Sequence, residues 1–386
     1  MPYTIGIDAR KLNEAPIGSY VQSLVRGLGE IDDENSYVLF VGGGYEGEFD
    51  DLPANFTRVI ERSSLYSLRE RIALSWRAVR NRLDLYHATH YILPVWIPRR
   101  TVTTVHGIVD LLHPDFMPGR LARYVAPAQM RSTLSRSNRI IAESENTRQD
   151  LVDYFDVRSR KISRVYPGVD PAFSPDEEPS DKGIREAAGL EGPYIVFRGD
   201  ARAHRNEERV LRAFARARRK SGEDVTMLGI GERELSDPRY EHLIEDLELT
   251  DRVVWLEDTP PSSLPALLRG ARLFFYPTLY EGFPIPVVEA MACAVPVITS
   301  DNGTIREVAE GSAKLVEPSS VESLAGALAW CLADEQLSRN LAADGSKRSA
   351  DFSWRRVAEQ TLAVYEETLT GSGDRARLRS RQDTAP

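Results

Sequence analysis

Short apolar runs alternate with amphipathic helical patterns along most of this chain, and that alternation restricts its fold more than any other feature. In the first half Thr4-Ile7, Tyr37-Val41, Leu85-His87, Thr101-Val105 and Arg139-Ala142 read as strands. Between them Ile17-Ile31, Ser67-Leu83, Arg120-Ser135 and Thr147-Phe155 read as helices. Strands separated by helices pair in parallel and are covered on both faces. From Val165 through Pro167-Gly168 to Lys182, proline, glycine and charge break the pattern and mark a linker and hinge. Alternation then restarts, with strands at Tyr194-Phe197, Val225-Leu228, Val253-Leu256, Leu273-Tyr276, Val295-Thr299 and Ala313-Val316. Helical patterns separate them, from Glu207-Lys220 to Val321-Leu332.

A chain of 386 residues is long enough for two such domains, expected at 1–170 and 171–350. A last helix, 351–370, is expected to pack back on the first domain, and the polar, Arg-rich end, 371–386, reads as a disordered tail. Each domain is expected to be Rossmann-like. Ligands in such sheets sit at the carboxyl ends of the strands, so a central cleft that both domains face is the expected site.

Bulk properties exclude several classes. No apolar run approaches the roughly 20 residues that cross a bilayer, and the N-terminus is a strand pattern rather than a signal peptide. Cys293 and Cys331 fall in apolar helical patterns and read as buried free thiols of a cytoplasmic protein. A net charge of −9 argues against a nucleic-acid partner. The charge is uneven, however: between Leu65 and Ile140 twelve arginines face four acids. That segment is either a solvated surface or a peripheral contact with anionic membrane at its inner face.

The chemistry concentrates at a few strand ends. Glu281 and Glu289 lie eight positions apart around Gly282-Phe283-Pro284-Ile285, between an apolar strand and a helix start. A tight loop leading into a helix N-terminus is an anion-binding device. Carboxylates beside an anion would repel it, so the two glutamates are expected to accept hydrogen bonds from ligand hydroxyls. Together these features suit a sugar nucleotide. Gly199 to Asn206 follows the first strand of the second domain, and Arg202 and Arg205 there could fork onto a diphosphate. Gly18 opens the first helix and would allow close backbone approach. His106 ends a strand and could bond a sugar hydroxyl. His87 and His90 lack a third ligand, and no bound metal is expected. Gly42-Gly43-Gly44-Tyr45-Glu46-Gly47 matches a dinucleotide fingerprint, but a poor helix start follows, so it reads as a turn.

In series these motifs resemble the retaining GT-B glycosyltransferases of family four, which carry an E-x7-E signature. The resemblance runs almost end to end, from Ile5-Asp8 and Pro16-Tyr20 through Val105-Pro114, Ser144-Leu151, Val165-Pro171, Gly199-Asn206 and Tyr276-Pro296 to Phe352-Trp354. It looks closest to bacterial enzymes that move mannose or related hexoses onto lipid-linked or polysaccharide acceptors. The resemblance implies a nucleotide-sugar donor, such as a GDP- or UDP-sugar, with no cofactor and no metal. It places Glu289 on the donor's ribose, and Glu281 on the donor sugar beside the backbone of Phe283 to Ile285. Arg205 and Asn206 would stand in the diphosphate loop, Gly18 near the diphosphate, and His106 would face the transferred sugar.

The chain departs from the family pattern at Asp200, often a second cation, and at Pro284, usually glycine. Arg202 would substitute for that cation, or the donor would bind weakly. The implied reaction retains the anomeric configuration, with the leaving diphosphate taking the acceptor's proton. Two alternatives stay open: a sugar-nucleotide hydrolase or epimerase on the same fold, and a non-catalytic partner subunit.

Overall fold

The computed structural model describes residues 2–14, 17–45, 47–62, 68–94, 96–97, 100–112, 122–199, 205–231 and 238–370. Pro16, Asp200, Arg202, His204 and the tail 371–386, which the sequence reading singled out, lie outside the described residues. The chain divides into two units, Met1–Gly168 with the chain from Trp354 onward, and Val169–Ser353.

In the first unit the order is β1 (Thr4–Ala9), α1 (Ile17–Ile31), β2 (Ser36–Gly42), β3 (Phe56–Glu61), α2 (Leu68–Arg80), β4 (Leu85–Ala88) and β5 (Arg100–Val105). It continues with α3 (Val109–Leu112), α4 (Ala122–Arg136), β6 (Arg139–Ala142), α5 (Glu145–Phe155) and β7 (Ile162–Arg164). All seven strands are parallel, in the order β3-β2-β1-β4-β5-β6-β7. Two strands went unseen in the sequence. β3 pairs only with β2, and its outward Thr57 and Arg58 break the apolar run that marks a buried strand. β7 has only three residues.

The second unit holds α6 (Asp181–Ala187), β8 (Tyr194–Arg198), α7 (Glu207–Ser221), β9 (Thr226–Ile230), α8 (Pro238–Asp246), β10 (Val253–Leu256) and α9 (Leu264–Arg269). It continues with β11 (Leu273–Tyr276), α10 (Ile285–Ala292), β12 (Val297–Ser300), α11 (Gly303–Ala309), β13 (Lys314–Val316), α12 (Val321–Ala333) and α13 (Glu335–Ser349). Its six strands run parallel as β10-β9-β8-β11-β12-β13. The segment 165–182, read as a linker, contains the division between units and ends in the start of α6.

Alternate residues of the central strands feed opposite faces of each sheet. Ile195 and Phe197 of β8 enter one core with Phe214 and Leu328, while Tyr194 and Val196 enter another with Leu267 and Met291. The same sorting in the first unit puts Ile5 and Ile7 with Val21 and Leu24. The last helix, α14 (Trp354–Thr370), joins that core through Val357, Ala358, Val364 and Tyr365.

Both sheets reverse strand order once, at β1/β4 and at β8/β11. Such reversal points are where open parallel sheets bind ligands. Cys293 and Cys331 are buried free thiols whose pKa values burial pushes up to about 12 and about 11. No helix among the described residues is long and apolar enough to cross a membrane.

Candidate active site

At the reversal point of the second unit, β8 and β11 pair side by side and their carboxyl ends deliver the polar groups. Asn206, just before α7, takes a left-handed conformation at φ 68°, which asparagine tolerates better than most side chains. Its amide nitrogen donates to the carbonyls of Pro277 at 3.0 Å and Pro318 at 2.7 Å, and its oxygen accepts from Arg209. With 5% exposure, Asn206 is a tie between three loops rather than a group facing solvent.

That tie sets Arg205 over the Tyr276 ring, 5.3 Å from guanidinium carbon to centroid. The guanidinium hydrogen-bonds the Tyr276 hydroxyl and the Glu281 carboxylate. Tyr276 donates in turn to Glu281 at 2.6 Å. Arg205, Tyr276 and Glu281 therefore form a closed triangle. The second glutamate has an arginine of its own. Arg198, the last residue of β8, donates to Glu289 Oε2 at 2.5 Å. Burial pushes the Glu289 carboxyl above its ordinary pKa, and the charge of Arg198 opposes this.

The helix start between the glutamates differs from expectation. Pro284 and Pro286 carry no N–H. The N–H of Ile285 bonds Phe283, and those of Val287 and Val288 both bond Pro284. From 284 to 288 the backbone donors expected to cradle an anion are spent inside their own turn. Positive charge here comes from Arg198 and Arg205 instead. Gly282 is partly exposed in the bend, Phe283 and Pro284 are buried, and Ile285 is half-buried. Phe283 packs edge-on against Phe352 at 5.8 Å. Among the described residues no cluster of histidine, cysteine and carboxylate side chains could hold a metal.

The first unit gathers a second polar set at its own reversal point. Asp8, at the end of β1, accepts from Arg10 Nε at 2.7 Å, from Arg10 Nη2 at 2.6 Å and from Tyr86 at 3.0 Å. Despite full burial, the Arg10 charge holds the Asp8 carboxyl well below the usual carboxylate range. His106 Nδ1 meets Glu143 at 2.7 Å and Nε2 meets the Thr89 carbonyl at 2.8 Å. A carbonyl oxygen only accepts, so Nε2 donates to Thr89, while Nδ1 shares a hydrogen bond with the Glu143 carboxyl. Burial lowers its pKa, but the Glu143 carboxylate more than offsets this, and the pKa is raised. A ring so engaged has no nitrogen left for a sugar hydroxyl, contrary to expectation.

His87 and His90 are buried neutral, both lowered by burial to about 3. His87 lies 2.7 Å from the Tyr365 hydroxyl and 2.8 Å from that of Thr104. At Gly18 the close backbone approach is intramolecular. An added Cβ would lie 2.0 Å from the Leu12 carbonyl oxygen, and the Gly18 N–H already bonds Glu14.

Of the residues gathered here, the sequence reading singled out Arg205, Glu281 and Glu289 and passed over Arg198, Tyr276 and Glu143. The one signal for Arg198 was a cation closing an apolar strand immediately before Gly199. Tyr276 looked like core, and Glu143 had no motif.

Residues 17–173 match the family model described as Glycosyltransferase Family 4, and residues 182–348 the one described as Glycosyl transferases group 1. The chain is 25% identical over 366 residues to the O-antigen chain mannosyltransferase B of Escherichia coli, covering 91% of this chain and 95% of that protein. It is 32% identical over 235 residues to the MMP alpha-(1->4)-mannosyltransferase of Mycolicibacterium hassiacum, covering 60% of this chain and 54% of that one. Among solved structures, a glycosyltransferase from Rickettsia africae superposes with TM-score 0.75 at 17% identity, covering 96% and 100% of the two chains. Anabaena HepE, in complex with UDP and glucose, gives 0.74 at 18%, covering 95% and 100%. Two parallel-sheet Rossmann-like units of that fold, together with the two matched modules, make this chain a GT-B glycosyltransferase.

Proposed function

We propose that the chain transfers a hexose, with mannose the first choice, from a nucleotide-sugar donor to a hydroxyl of a glycan or lipid-linked acceptor, retaining the anomeric configuration. The observation that carries this reading is the pairing of Glu281 with Arg205 and of Glu289 with Arg198 at the reversal point of one sheet. A donor supplies matching partners: phosphate oxygens for the Arg205 guanidinium and hydroxyls for the two carboxylates. The mannosyltransferase relatives support the choice of sugar, and HepE with UDP and glucose supports a nucleotide-sugar donor. The donor in this reading is a GDP- or UDP-sugar, used without a metal.

The bond from the anomeric carbon to the diphosphate breaks as the acceptor oxygen bonds the same face of that carbon. The acceptor's proton passes to the departing diphosphate. Arg205 stabilises the charge that develops there, and Glu281 orients the sugar. Stabilisation is screened for against GDP-mannose, UDP-glucose and ADP-glucose, because a cognate donor raises the melting temperature by mass action. Product anomeric configuration is then read by NMR, with EDTA present. Inversion ends the retaining assignment, and sugar release without acceptor ends the transfer assignment.

The first unit is proposed to contact anionic membrane. On α2, Ile72, Trp76 and Val79 point outward at 55%, 59% and 45% exposure, opposite the buried Leu74 and Ala78. Arg80 lies over the Trp76 ring. An outward apolar stripe flanked by arginine suits a lipid interface. The variant Ile72→Ser with Trp76→Ser is expected to lose co-sedimentation with vesicles containing phosphatidylglycerol; retained binding ends this assignment.

A further inference from the structure

The two arginine–glutamate pairs are built differently. Arg205 is fixed by its place over Tyr276 and bonds both members of its triangle. Arg198 sits on the sheet itself: as the last residue of β8 it is in register with Ile230 of β9, so the strand sets where its side chain starts. From there one guanidinium nitrogen, Nη1, reaches one carboxylate oxygen of Glu289, Oε2, at 2.5 Å. Glu289 stands on α10, one turn past Ile285, and among the described residues no other side chain donates to it. Its side chain keeps 13% exposure and that of Arg198 keeps 33%. This contact is therefore single-ended, unlike the bidentate grip of Arg10 on Asp8.

A single-ended bond turns the carboxylate about one oxygen and presents the other. We propose that Arg198 is a positioning residue for the donor's ribose: by holding Glu289 through Oε2 it presents Oε1 to a ribose hydroxyl. It thereby sets the preference for ribonucleotides over deoxyribonucleotides. This rests on the donor-site reading above. The electrostatics agree, because burial alone favours the uncharged form of Glu289 and the Arg198 charge works against that. An ionised, oriented acceptor makes a charge-assisted hydrogen bond, and a rotating or protonated one does not. Arg198 acts through Glu289 and leaves the departing diphosphate to Arg205, so its removal is expected in donor KM rather than in kcat.

The test is calorimetric binding of GDP and UDP, and of their 2′-deoxy and 3′-deoxy forms, to wild type, Arg198→Met, Arg198→Lys and Glu289→Gln. Wild type is expected to favour the ribonucleotide by about tenfold or more, the size of one charge-assisted hydrogen bond. Arg198→Met and Glu289→Gln are each expected to abolish most of that preference, with urea midpoints near wild type. Combining them should add nothing further, and Arg198→Lys should restore part. Donor KM should rise in Arg198→Met while kcat stays within about twofold of wild type. Full ribose preference in Arg198→Met overturns the proposal, as does equal loss of ribo- and deoxyribonucleotide affinity, which would place Arg198 on the phosphates. If Arg198→Met fails to fold, Arg198→Lys and Glu289→Gln carry the same comparison. Wild type that binds no nucleoside diphosphate overturns the donor-site reading itself, and this inference with it.

Discussion

The two units share a parallel, doubly wound sheet and each gathers charge where the strand order reverses, yet they bury that charge differently. In the first unit Asp8 and Arg10 are 1% and 4% exposed, and Asp8 is gripped by both ends of the guanidinium. In the second unit the side chains of the Arg198–Glu289 pair keep 33% and 13% exposure, and those of Arg205–Glu281 keep 12% each. A fully buried pair cannot trade partners with a ligand, because each ion would lose its counter-charge without reaching water. A pair at the water's edge can, as Arg205 and Glu281 would, or can stay paired and offer its second carboxylate oxygen, as Glu289 would. Both places pair arginine with a carboxylate, and burial separates scaffold from site.

The sharpest way to break this contrast is to remove one charge from each kind of pair. Asp8→Asn leaves Arg10 buried without its counter-ion and is expected to cost about 3–5 kcal/mol, read from urea unfolding. Glu281→Gln should shift the same midpoint far less; equal shifts would erase the distinction. Next in size, Arg205→Ala is expected to lower kcat by about 10²–10³-fold, the usual loss of one charge-stabilising donor, with stability nearly kept. A variant with full turnover would remove Arg205 from the chemistry. Gly18→Ala drives a methyl group into the Leu12 carbonyl and should cost about 1–3 kcal/mol, with donor affinity unchanged.

The smallest effect concerns pH. His87 and His90 have folded pKa values near 3, below the ordinary value of about 6.5, so the unfolded chain takes protons first as pH falls. Their stabilisation is complete above about 6.5 and is lost as pH drops toward 3. His106 has the opposite sign: its folded pKa is raised, so its contribution is present below about 6.5 and fades as pH rises through the folded value. Among the described residues the second unit has no buried histidine, His242 being exposed. Hydrogen exchange at pH 5 against pH 7.5 should therefore show first-unit amides losing protection in acid while second-unit amides hold. Loss in both units alike would contradict the assignment.

The sequence made the alternation of the sheets readable because buried parallel strands are apolar throughout, and α1 and β11 fell at the bounds read. It hid α13, a polar helix whose only buried residues are Gly345 and Ser349, because such a helix has little apolar stripe to show. The spacing of Glu281 and Glu289 was visible since both lie on one continuous loop and helix. Arg198 was not, because it lies 91 positions from Glu289 and meets it only through the pairing of β8 with β11, and Tyr276 was hidden as one more apolar residue of a buried strand. The two prolines were visible too, and with them the donors they lack; that the remaining N–H groups turn inward was not.

α14 carries a consequence for how the protein is made. Residues 169–353 are contiguous, whereas the first unit needs the chain from Trp354 to bring Val357, Ala358 and Tyr365 into its core. Gly27 on α1 is shaped for that arrival: an added Cβ would lie 3.1 Å from Ala358 and from the Trp354 carbonyl. On the ribosome, the unit that emerges first is therefore the last to be completed, reversing the usual N-terminal-first order. Until translation passes residue 370, the nascent first unit lacks the Tyr365 partner of His87 and carries an uncovered apolar face, a natural substrate for a chaperone.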